Sequence, residues 1–484
     1  MQARGEREIV PGRVARIATG LGLLVAFGAL AIWLWSHVCM FPALVWNDIR
    51  VAPAVALSQG WKVFPTASEG VVNTWTYGPL PLLILWPATW ATSAAGALLT
   101  AAGINMALIL GSLAIVCFHW PANDGNDSRR SMARCAAFLV CVAAWPDPFY
   151  ALYYADTVAI SCGLLGNLAL IHARSARGLW AAAILATAAV AAKQTALGIP
   201  VAQLLWIALT AGGRPAGRHA LRCVIAGGVI AVTAIAAFGW EELWFVLIDL
   251  PASFAWFPDP WKRLWFVGEE LAWHLVLPAL VMLLFMRRPL SRPALLLPAL
   301  AWACALPLGI MALLKLGGRT NSLYSFLLWL PPMLAGWMGA RPTTNVTRAA
   351  VPVAMLVAAI LACGRVIHAP RLPMTPQVSG YDQAARLAAR WPGQIWFPFH
   401  PLVTLYSEGR YYHDEDGLFV RQVTRRPVSP EQAAAHLPPG LTVFAFRTGW
   451  SDWGVARSLL PANARSSEVG DWTLWTAPAQ SASP

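Results

Sequence analysis

Residues 41–81 read FPALVWNDIRVAPAVALSQGWKVFPTASEGVVNTWTYGPLP and separate two strongly apolar segments. This stretch is polar and is interrupted by glycine and proline, and its ionisable and aromatic residues include Asp48, Arg50, Lys62, Glu69 and Tyr77. A connection of about forty residues is longer than two packed elements need between them. We therefore expect a functional loop at one surface of a membrane, with the rest of the chain arranged around it.

The composition is that of a protein that lies in a bilayer. Of the 484 residues, 58% are hydrophobic and only 12% are charged, whereas soluble domains have about a quarter charged residues. The 26 tryptophans suit the membrane–water interface, where this side chain is enriched. The net charge of +12 comes from short basic clusters between apolar segments. That distribution excludes a nucleic-acid partner, which would need the basic residues on one face of a domain.

The hydropathy pattern predicts a multi-span α-helical membrane protein with about 11 transmembrane helices. The predicted spans are 17–38, 95–118, 133–147, 155–173, 178–192, 195–210, 222–240, 270–286, 293–314, 322–340 and 349–366. Residues 79–92 are also apolar, but this segment is short and holds three prolines. We expect it to form a juxtamembrane or re-entrant helix rather than a span.

Basic residues fix the predicted orientation. With the N-terminus in the cytoplasm, the inner segments hold 17 lysines and arginines, the outer loops and span ends hold 8, and the tail holds 10. Short cytoplasmic loops are the ones that carry such an excess. The first loop, residues 40–94, and the tail, residues 367–484, then lie outside the plasma (inner) membrane. Residues 1–366 are predicted to form the transmembrane domain.

Two carboxylates of the predicted outer surface stand out. Asp48 and Asp156 each lie near the end of a span and next to aromatic residues. An ionisable side chain at the edge of a bilayer indicates function more often than chance. We assign Glu241, Glu242, Glu269 and Glu270 to ordinary loop polarity. The loop at 241–269 is rich in aromatic residues and proline, which predicts an interfacial lid or lipid-facing shelf.

Lys193 is predicted to lie below the outer surface. It joins two spans of about fifteen residues, and a helix of that length rises only about 22 Å, less than the hydrocarbon core of about 30 Å. A sunken ammonium needs an anionic partner. In the later loop KLGGRTN, Arg319 is the better candidate for contact with a phosphate, whereas Lys315 is either a phosphate contact or an ordinary interfacial anchor.

The composition changes after the last span. Residues 367–484 alternate short apolar runs with turns and one helical stretch, which predicts a small extracytoplasmic α/β domain. His400, His413 and Asp414 lie close together in this sequence. We assign them to ordinary loop polarity, because no catalytic triad, phosphate loop or metal cluster accompanies them.

An outward-facing acid, a sunken cation and an aromatic shelf suit a lipid-linked, anionic donor. A carboxylate would deprotonate the acceptor hydroxyl, and cations would stabilise the departing phosphate. Asp48 is the candidate general base, and Lys193 and Arg319 are the candidates for the leaving group. Asp156 would orient the acceptor or tune Asp48. The further substrate contacts we predict are Arg50, Lys62, Glu69, Tyr77, Lys315 and Asn321.

The order of these motifs resembles the GT-C glycosyltransferases, the class that includes protein O-mannosyltransferases and aminoarabinose transferases. The matching motifs, over roughly residues 20–340, are WNDIR at 46–50, YGPLP at 77–81, YYAD at 153–156, AAKQTALG at 191–198 and NSLYSFLLWLPP at 321–332. The resemblance implies a polyprenyl-phosphate sugar donor, a catalytic aspartate in the first loop and phosphate contacts near Lys193 and Arg319. Many members carry a paired acid where this chain has Asn47 and Asp48, which weakens any argument for a metal.

The predicted function is therefore transfer of a sugar to a glycan, lipid or protein acceptor of the cell envelope, on the periplasmic side. No cofactor is expected, and a divalent metal stays open. A polymerase or ligase of surface glycans is the first alternative, although it predicts a large loop late in the chain. A transporter would show internal repeats and midplane polar residues, which the sequence lacks. A non-catalytic membrane scaffold is the remaining alternative.

Overall fold

The computed structural model describes residues 9–121, 127–143, 155–269, 293–338, 345–368, 373–449 and 454–476. In the membrane part the α-helices are α1 Ile9–Met40, α2 Val45–Ser58, α3 Leu80–Ile84, α4 Ala94–His119, α5 Asp127–Ala143, α6 Ala155–Ile171, α7 Ala176–Ala192, α8 Gly198–Ala211, α9 Gly213–Phe238, α10 Trp240–Trp244, α11 Leu250–Ser253, α12 260–269, α13 Pro293–Leu313, α14 Leu330–Met338 and α15 Asn345–His368. Short 3-10 helices occupy Phe41–Ala43, Trp86–Trp90, Gln194–Leu197 and Thr320–Leu328, and Phe245–Asp249 is a π-helical turn.

Five of these helical segments are long and apolar enough to cross a membrane. They are Gly20–Ala43, Ala94–His119, Gln194–Ala211, Gly213–Phe238 and Pro293–Leu313. Four shorter apolar helices accompany them, at Ser131–Ala143, Ala155–Ile171, Ala176–Ala192 and Pro352–Ile367. The mainly helical membrane architecture is confirmed. The number of eleven spans stays a prediction, because the segment predicted at 270–286 lies outside the described residues.

The segment predicted as one span at 322–340 is divided. A 3-10 helix covers Thr320–Leu328, and α14 begins at Leu330 and ends at Met338. Pro331 and Pro332 cause the division, because each lacks the N–H that would continue a preceding helix, whereas both fit the first turn of a new one. The segment is thus interrupted within the described residues, and its crossing of the membrane as one span stays a prediction.

Residues 79–92 form two helices of five residues each, at Leu80–Ile84 and Trp86–Trp90. A five-residue helix rises only about 7 Å, far less than the thickness of a bilayer. The prolines at 79, 81 and 87 explain the interruption. The segment therefore has the short, broken form that its prolines predict.

Small residues allow close packing in the helical core. Helix α7 buries five alanines along one side, Ala182, Ala183, Ala186, Ala189 and Ala192, at the spacing of one helix face. Gly166 of α6 faces this surface, and a Cβ there would lie 3.2 Å from Cβ of Leu185. Packing of small residues is what holds helices together where lipid supplies no hydrophobic contrast.

The C-terminal segment contains a small mixed α/β structure. Its helices are α16 Ser379–Arg390, α17 Pro401–Glu408, α18 Glu415–Val423 and α19 Pro430–Ala435, with a 3-10 helix at Ala456–Leu459. Its strands are β1 Ile395–Trp396, β2 Val443–Arg447, β3 Arg465–Val469 and β4 Trp472–Thr476, in the order β1-β2-β4-β3. Strand β1 is parallel to β2, and the other two pairings are antiparallel.

This segment shares a hydrophobic core with the first loop. Tyr381, Leu402 and Trp472 belong to the same buried cluster as Val51 and Val55 of α2. The sheet and helices expected after residue 367 are therefore present, but they are completed by side chains from the first loop. The division into domains at residue 366 stays a prediction.

Candidate active site

An ion pair lies where a helical hairpin opens. Helices α6 and α7 are both 17 residues long and are joined by residues 172–175, so the start of α6 lies beside the end of α7. Asp156 is in the first turn of α6, and Lys193 caps the end of α7. The helix dipole favours an acid at an N-terminus and a cation at a C-terminus. The topology and the dipoles therefore bring these two side chains together.

Asp156 and Lys193 form a bidentate contact that is buried. Lys193 Nζ lies 2.7 Å from Oδ1 and 2.8 Å from Oδ2 of Asp156, and the side chains are 9% and 8% exposed. Asn321 Nδ2 donates a third hydrogen bond to Asp156 Oδ2 at 2.8 Å. The anion that the sunken Lys193 requires is thus supplied by the protein. This differs from the role predicted from the sequence, in which Asp156 orients the acceptor or tunes Asp48.

Tyr77 lies beside this pair because Gly78 allows a close approach. A Cβ at Gly78 would lie 1.6 Å from the carbonyl oxygen of Ala191, so only glycine fits here. The centre of the Tyr77 ring is 5.8 Å from Lys193 Nζ and 5.6 Å from Arg50 Cζ. Burial raises the pKa of Tyr77 to about 12. The ring therefore separates two cations without ionising itself.

Arg50 has a buried carboxylate of its own. Its Nη2 lies 2.9 Å from Asp416 Oδ2, and the side chains are 8% and 12% exposed. Its Nη1 donates to Thr74 Oγ1 at 2.6 Å and to the Thr74 carbonyl at 3.2 Å. The Thr74 hydroxyl in turn donates to Asp416 Oδ2. These contacts make Arg50, Thr74 and Asp416 one hydrogen-bonded unit.

The start of α18 positions Asp416 against the first loop. Asp414 caps the helix by accepting from the Gly417 N–H at 2.6 Å, and its own N–H donates to the Val72 carbonyl at 3.1 Å. A Cβ at Gly417 would lie 2.5 Å from Cα of Asn73. The backbone of α18 therefore packs directly against the backbone of the first loop at this point. Asp416 and Thr74 were not among the residues predicted from the sequence. The acidic run at 414–416 was the one available signal.

We call the set Arg50, Thr74, Tyr77, Asp156, Lys193, Asn321 and Asp416 the polar cluster. It joins five of the residues predicted from the sequence, and it contains two cations, each paired with a carboxylate. Buried ion pairs are costly unless they are fully hydrogen-bonded. Thr74 supports the first pair and Asn321 supports the second with further hydrogen bonds. Two cations around a neutral ring can receive an anionic group in exchange for a carboxylate.

Asp48 lies on another face of α2. Asp48 and Arg50 are two positions apart, and residues at this spacing lie on different faces of a helix. Asp48 therefore points away from the polar cluster, and it is 0% exposed. Its Oδ2 accepts from the Tyr381 hydroxyl and its Oδ1 from the Leu402 N–H, both at 2.8 Å. Burial raises the pKa of Asp48 to about 8. The structure thus places this carboxyl against the C-terminal segment, and its role as general base stays a prediction.

The remaining predicted residues lie outside the polar cluster. Lys62 and Glu69 are exposed, and the Lys62 Nζ is 3.9 Å from Glu242 Oε1. Lys315 Nζ donates to the Pro251 carbonyl at 2.8 Å and lies over the Trp256 ring. Arg319 is exposed and directly precedes the 3-10 helix that carries Asn321. Of these four residues, Arg319 is close to the polar cluster in sequence, because it lies two residues before Asn321.

The residues that we assigned to loop polarity are buried. His400, His413 and Asp414 are each no more than 1% exposed. His413 Nδ1 accepts from the Val72 N–H at 2.8 Å, and Nε2 is 3.0 Å from the Gln432 carbonyl. Burial lowers the pKa of His413 to about 4, so it is neutral. Our assignment was wrong, because all three side chains are buried, and His413 and Asp414 form hydrogen bonds with Val72 of the first loop.

Within the described ranges, no three His, Cys, Asp or Glu side chains come together as a possible metal site. The expectation about metals and cofactors stays a prediction.

Comparison with known proteins identifies the fold. No protein-family profile and no curated protein matches the sequence. Two solved structures do match over 96% of this chain: ArnT from Cupriavidus metallidurans bound to undecaprenyl phosphate, at 12% identity, and the same protein in the apo state, at 13%. The matches cover 99% and 100% of those chains, each with a TM-score of 0.59. The chain is similar in fold to ArnT, an aminoarabinose transferase of the GT-C class, which agrees with the resemblance found in the sequence.

Proposed function

We propose that this chain is an integral-membrane glycosyltransferase that moves a sugar from a polyprenyl-phosphate donor to an acceptor of the cell envelope. The observation that carries the proposal is the polar cluster: two buried cations around Tyr77, in a chain with the ArnT fold. The ArnT structure with undecaprenyl phosphate supports a lipid phosphate as the ligand. The acceptor is a glycan, a lipid or a protein on the periplasmic side.

Lys193 and Arg50 are the residues we propose for the donor phosphate. When the bond between the sugar and the phosphate breaks, negative charge grows on the phosphate oxygens. Cations fixed in a site of low exposure stabilise that charge strongly, because little water competes. The guanidinium also matches the geometry of phosphate oxygens. Tyr77 lies within 6 Å of both cations, so it would line the place where the phosphate sits.

The acceptor hydroxyl must lose its proton to a base within reach of the sugar. The sequence names Asp48, but both oxygens of that buried carboxyl already accept hydrogen bonds from Tyr381 and Leu402. Asp156 and Asp416, in contrast, directly contact the proposed phosphate-binding cations. We therefore propose that a carboxyl of the polar cluster takes the proton.

The membrane location supports a donor with a long lipid chain. Five apolar helices are long enough to cross a bilayer. Five tryptophans between residues 240 and 265 are exposed, namely Trp240, Trp244, Trp256, Trp261 and Trp265. Exposed tryptophans of this kind lie at the headgroup level of a membrane, where a lipid-linked sugar presents its phosphate. The inner-membrane location and the orientation rest on the distribution of basic residues.

The direct test is donor consumption by the purified protein in lipid nanodiscs. A panel of polyprenyl-phosphate sugars is supplied, and free polyprenyl phosphate is measured by chromatography and mass spectrometry. We expect one donor of the panel to be consumed by the wild type, and consumption to fall at least about 100-fold in Lys193→Ala. Lys262→Ala removes an exposed lysine outside the polar cluster and is expected to match the wild type. Equal rates for all three proteins would contradict the proposal.

A further inference from the structure

We propose, on the basis of the function proposed above, that the donor phosphate displaces Asp416 from Arg50 and that the released carboxylate is the general base. The contact between Arg50 and Asp416 would then be a resting arrangement. In it, the carboxylate occupies the place that a phosphate oxygen takes when the donor binds.

The positive and negative charges of the polar cluster are already balanced. Each cation of the polar cluster is neutralised by one carboxylate, Arg50 by Asp416 and Lys193 by Asp156. A sugar phosphodiester carries one negative charge. Entering a buried site whose cations are already paired, it would meet no excess of positive charge and would pay the cost of desolvation. Binding is favourable if one carboxylate gives up its cation.

The hydrogen bonds indicate which carboxylate leaves. Asp156 accepts from Lys193 with both oxygens and also from Asn321. Asp416 accepts from Arg50 and Thr74 with one oxygen, Oδ2, and its side chain is the more exposed, at 12% against 8%. Asp416 therefore has fewer contacts to lose.

Arg50 is suited to this exchange. Its Nη1 stays bound to the side chain and the carbonyl of Thr74, so the guanidinium keeps its orientation when Asp416 leaves. The Nη2 group that contacted the carboxylate can then donate to a phosphate oxygen. A charge-assisted bond of the same kind replaces the one that is lost.

Asp416 stays close to the site after its release. It lies in the first turn of α18, whose start is fixed by the cap from Asp414 and by the contact of Gly417 with Asn73. The side chain turns away, and the start of the helix is then held to the first loop by fewer contacts. The N-terminus of the helix favours the ionised carboxylate, and the negative phosphate beside it repels the carboxylate toward the acceptor.

The step is chemically balanced. The acceptor oxygen attacks the anomeric carbon, and the bond between that carbon and the phosphate oxygen breaks. The acceptor proton moves to the Asp416 carboxylate. The polyprenyl phosphate leaves with one more negative charge, which Arg50 and Lys193 hold. Donor binding must precede proton transfer, because Asp416 can accept the proton only while a phosphate is bound to Arg50.

Binding of undecaprenyl monophosphate to nanodisc-embedded protein tests the exchange. We expect Asp416→Asn to bind this lipid at least about tenfold more tightly than the wild type, because the competing charge is gone, and to transfer sugar at least about 100-fold more slowly. Asp382→Asn removes an exposed acid of the same segment and is the matched control. Unchanged or weaker binding by Asp416→Asn overturns the inference alone. Absence of binding by the wild type contradicts the proposed function.

A second measurement uses only the wild type and does not depend on the folding of a variant. Hydrogen exchange is followed at the amides of residues 415–418, with and without undecaprenyl monophosphate. Release of Asp416 from Arg50 and Thr74 removes one attachment of α18 to the first loop, so we expect faster exchange at these amides when the lipid is bound. Unchanged or slower exchange at saturation overturns the inference.

Discussion

The Tyr381 hydroxyl donates to Asp48 Oδ2 at 2.8 Å, across 333 positions of the chain. Together with the bond from the Leu402 N–H to Oδ1, this contact places the acid of the first loop inside the interface with the C-terminal segment. The same helix presents Arg50 to Asp416. Helix α2 therefore has one face that joins the two parts of the protein and another that contributes to the polar cluster.

The burial of Asp48 predicts a pH dependence of stability. Burial raises the pKa of Asp48 from 3.8 to about 8, so between these values the folded protein holds a proton that the unfolded chain has lost. Stability is then fully present below about pH 4 and is lost as the pH rises to about 8, with a slope of at most about 1.4 kcal/mol per pH unit. Thermal unfolding of wild type and Asp48→Asn across this range measures the effect.

We expect the difference between the two curves to isolate Asp48. Asparagine has the same shape, and it does not titrate. Other buried acids, such as Glu415, whose pKa burial raises to about 7, contribute equally to both proteins. Parallel curves for the two proteins would show that Asp48 does not titrate in this window.

The activity of Asp48→Asn separates two assignments of the base. If the buried carboxyl serves the interface, the asparagine oxygen still accepts from the Leu402 N–H, and its NH2 group donates to the Tyr381 oxygen in place of the bond that Asp48 accepts. We then expect sugar transfer to stay within about threefold of the wild type. Asp416→Asn is expected to lose at least about 100-fold. If a folded Asp48→Asn variant loses nearly all sugar transfer, Asp48 is the general base, as the sequence alone predicts.

The close approach of Gly78 to Ala191 predicts that adding one methyl group at this position lowers the rate of sugar transfer. A Cβ there would lie 1.6 Å from the Ala191 carbonyl oxygen, so the loop must move, and Tyr77 moves with it. We expect Gly78→Ala to lower transfer at least about tenfold, since small displacements of positioning groups are costly. Gly103→Ala is the control, because beyond the backbone of its own helix no atom lies within 4 Å of a Cβ at this position. Equal rates for both variants would contradict the contact.

The pair of Asp156 and Lys193 predicts strong coupling in stability. Replacing Lys193 with Met leaves a buried carboxylate unpaired, which costs about 3–5 kcal/mol. Adding Asp156→Asn removes that charge, so we expect the double variant to be more stable than Lys193→Met alone. Lys193→Met and the double variant are both expected to be inactive. Thermal unfolding in detergent is measured for the wild type, the two single variants and the double variant. Additive effects of the two substitutions would argue against the ion pair.

The sequence predicted two parts of the site from the ends of apolar spans, namely Asp156 and Lys193. Lys193 was found because two short spans meet there, and Asp156 because it begins a span. Asp416 could not be found in this way, since its partner Arg50 is 366 positions away and no local pattern links them. The change in composition after residue 366 suggested an independent domain. Composition does not reveal that Leu402 and Trp472 complete the core around the first loop.

The shared core has a consequence for biogenesis. The ribosome makes Arg50 long before Asp416, and at 5–20 residues per second the 366 intervening positions take roughly 20 to 70 seconds to synthesise. Throughout that delay the apolar face of α2 has no partner from the C-terminal segment. The nascent first loop is then a natural client for a chaperone or for the insertion machinery. A truncated chain would keep that exposed surface permanently and would become a substrate for quality-control proteases.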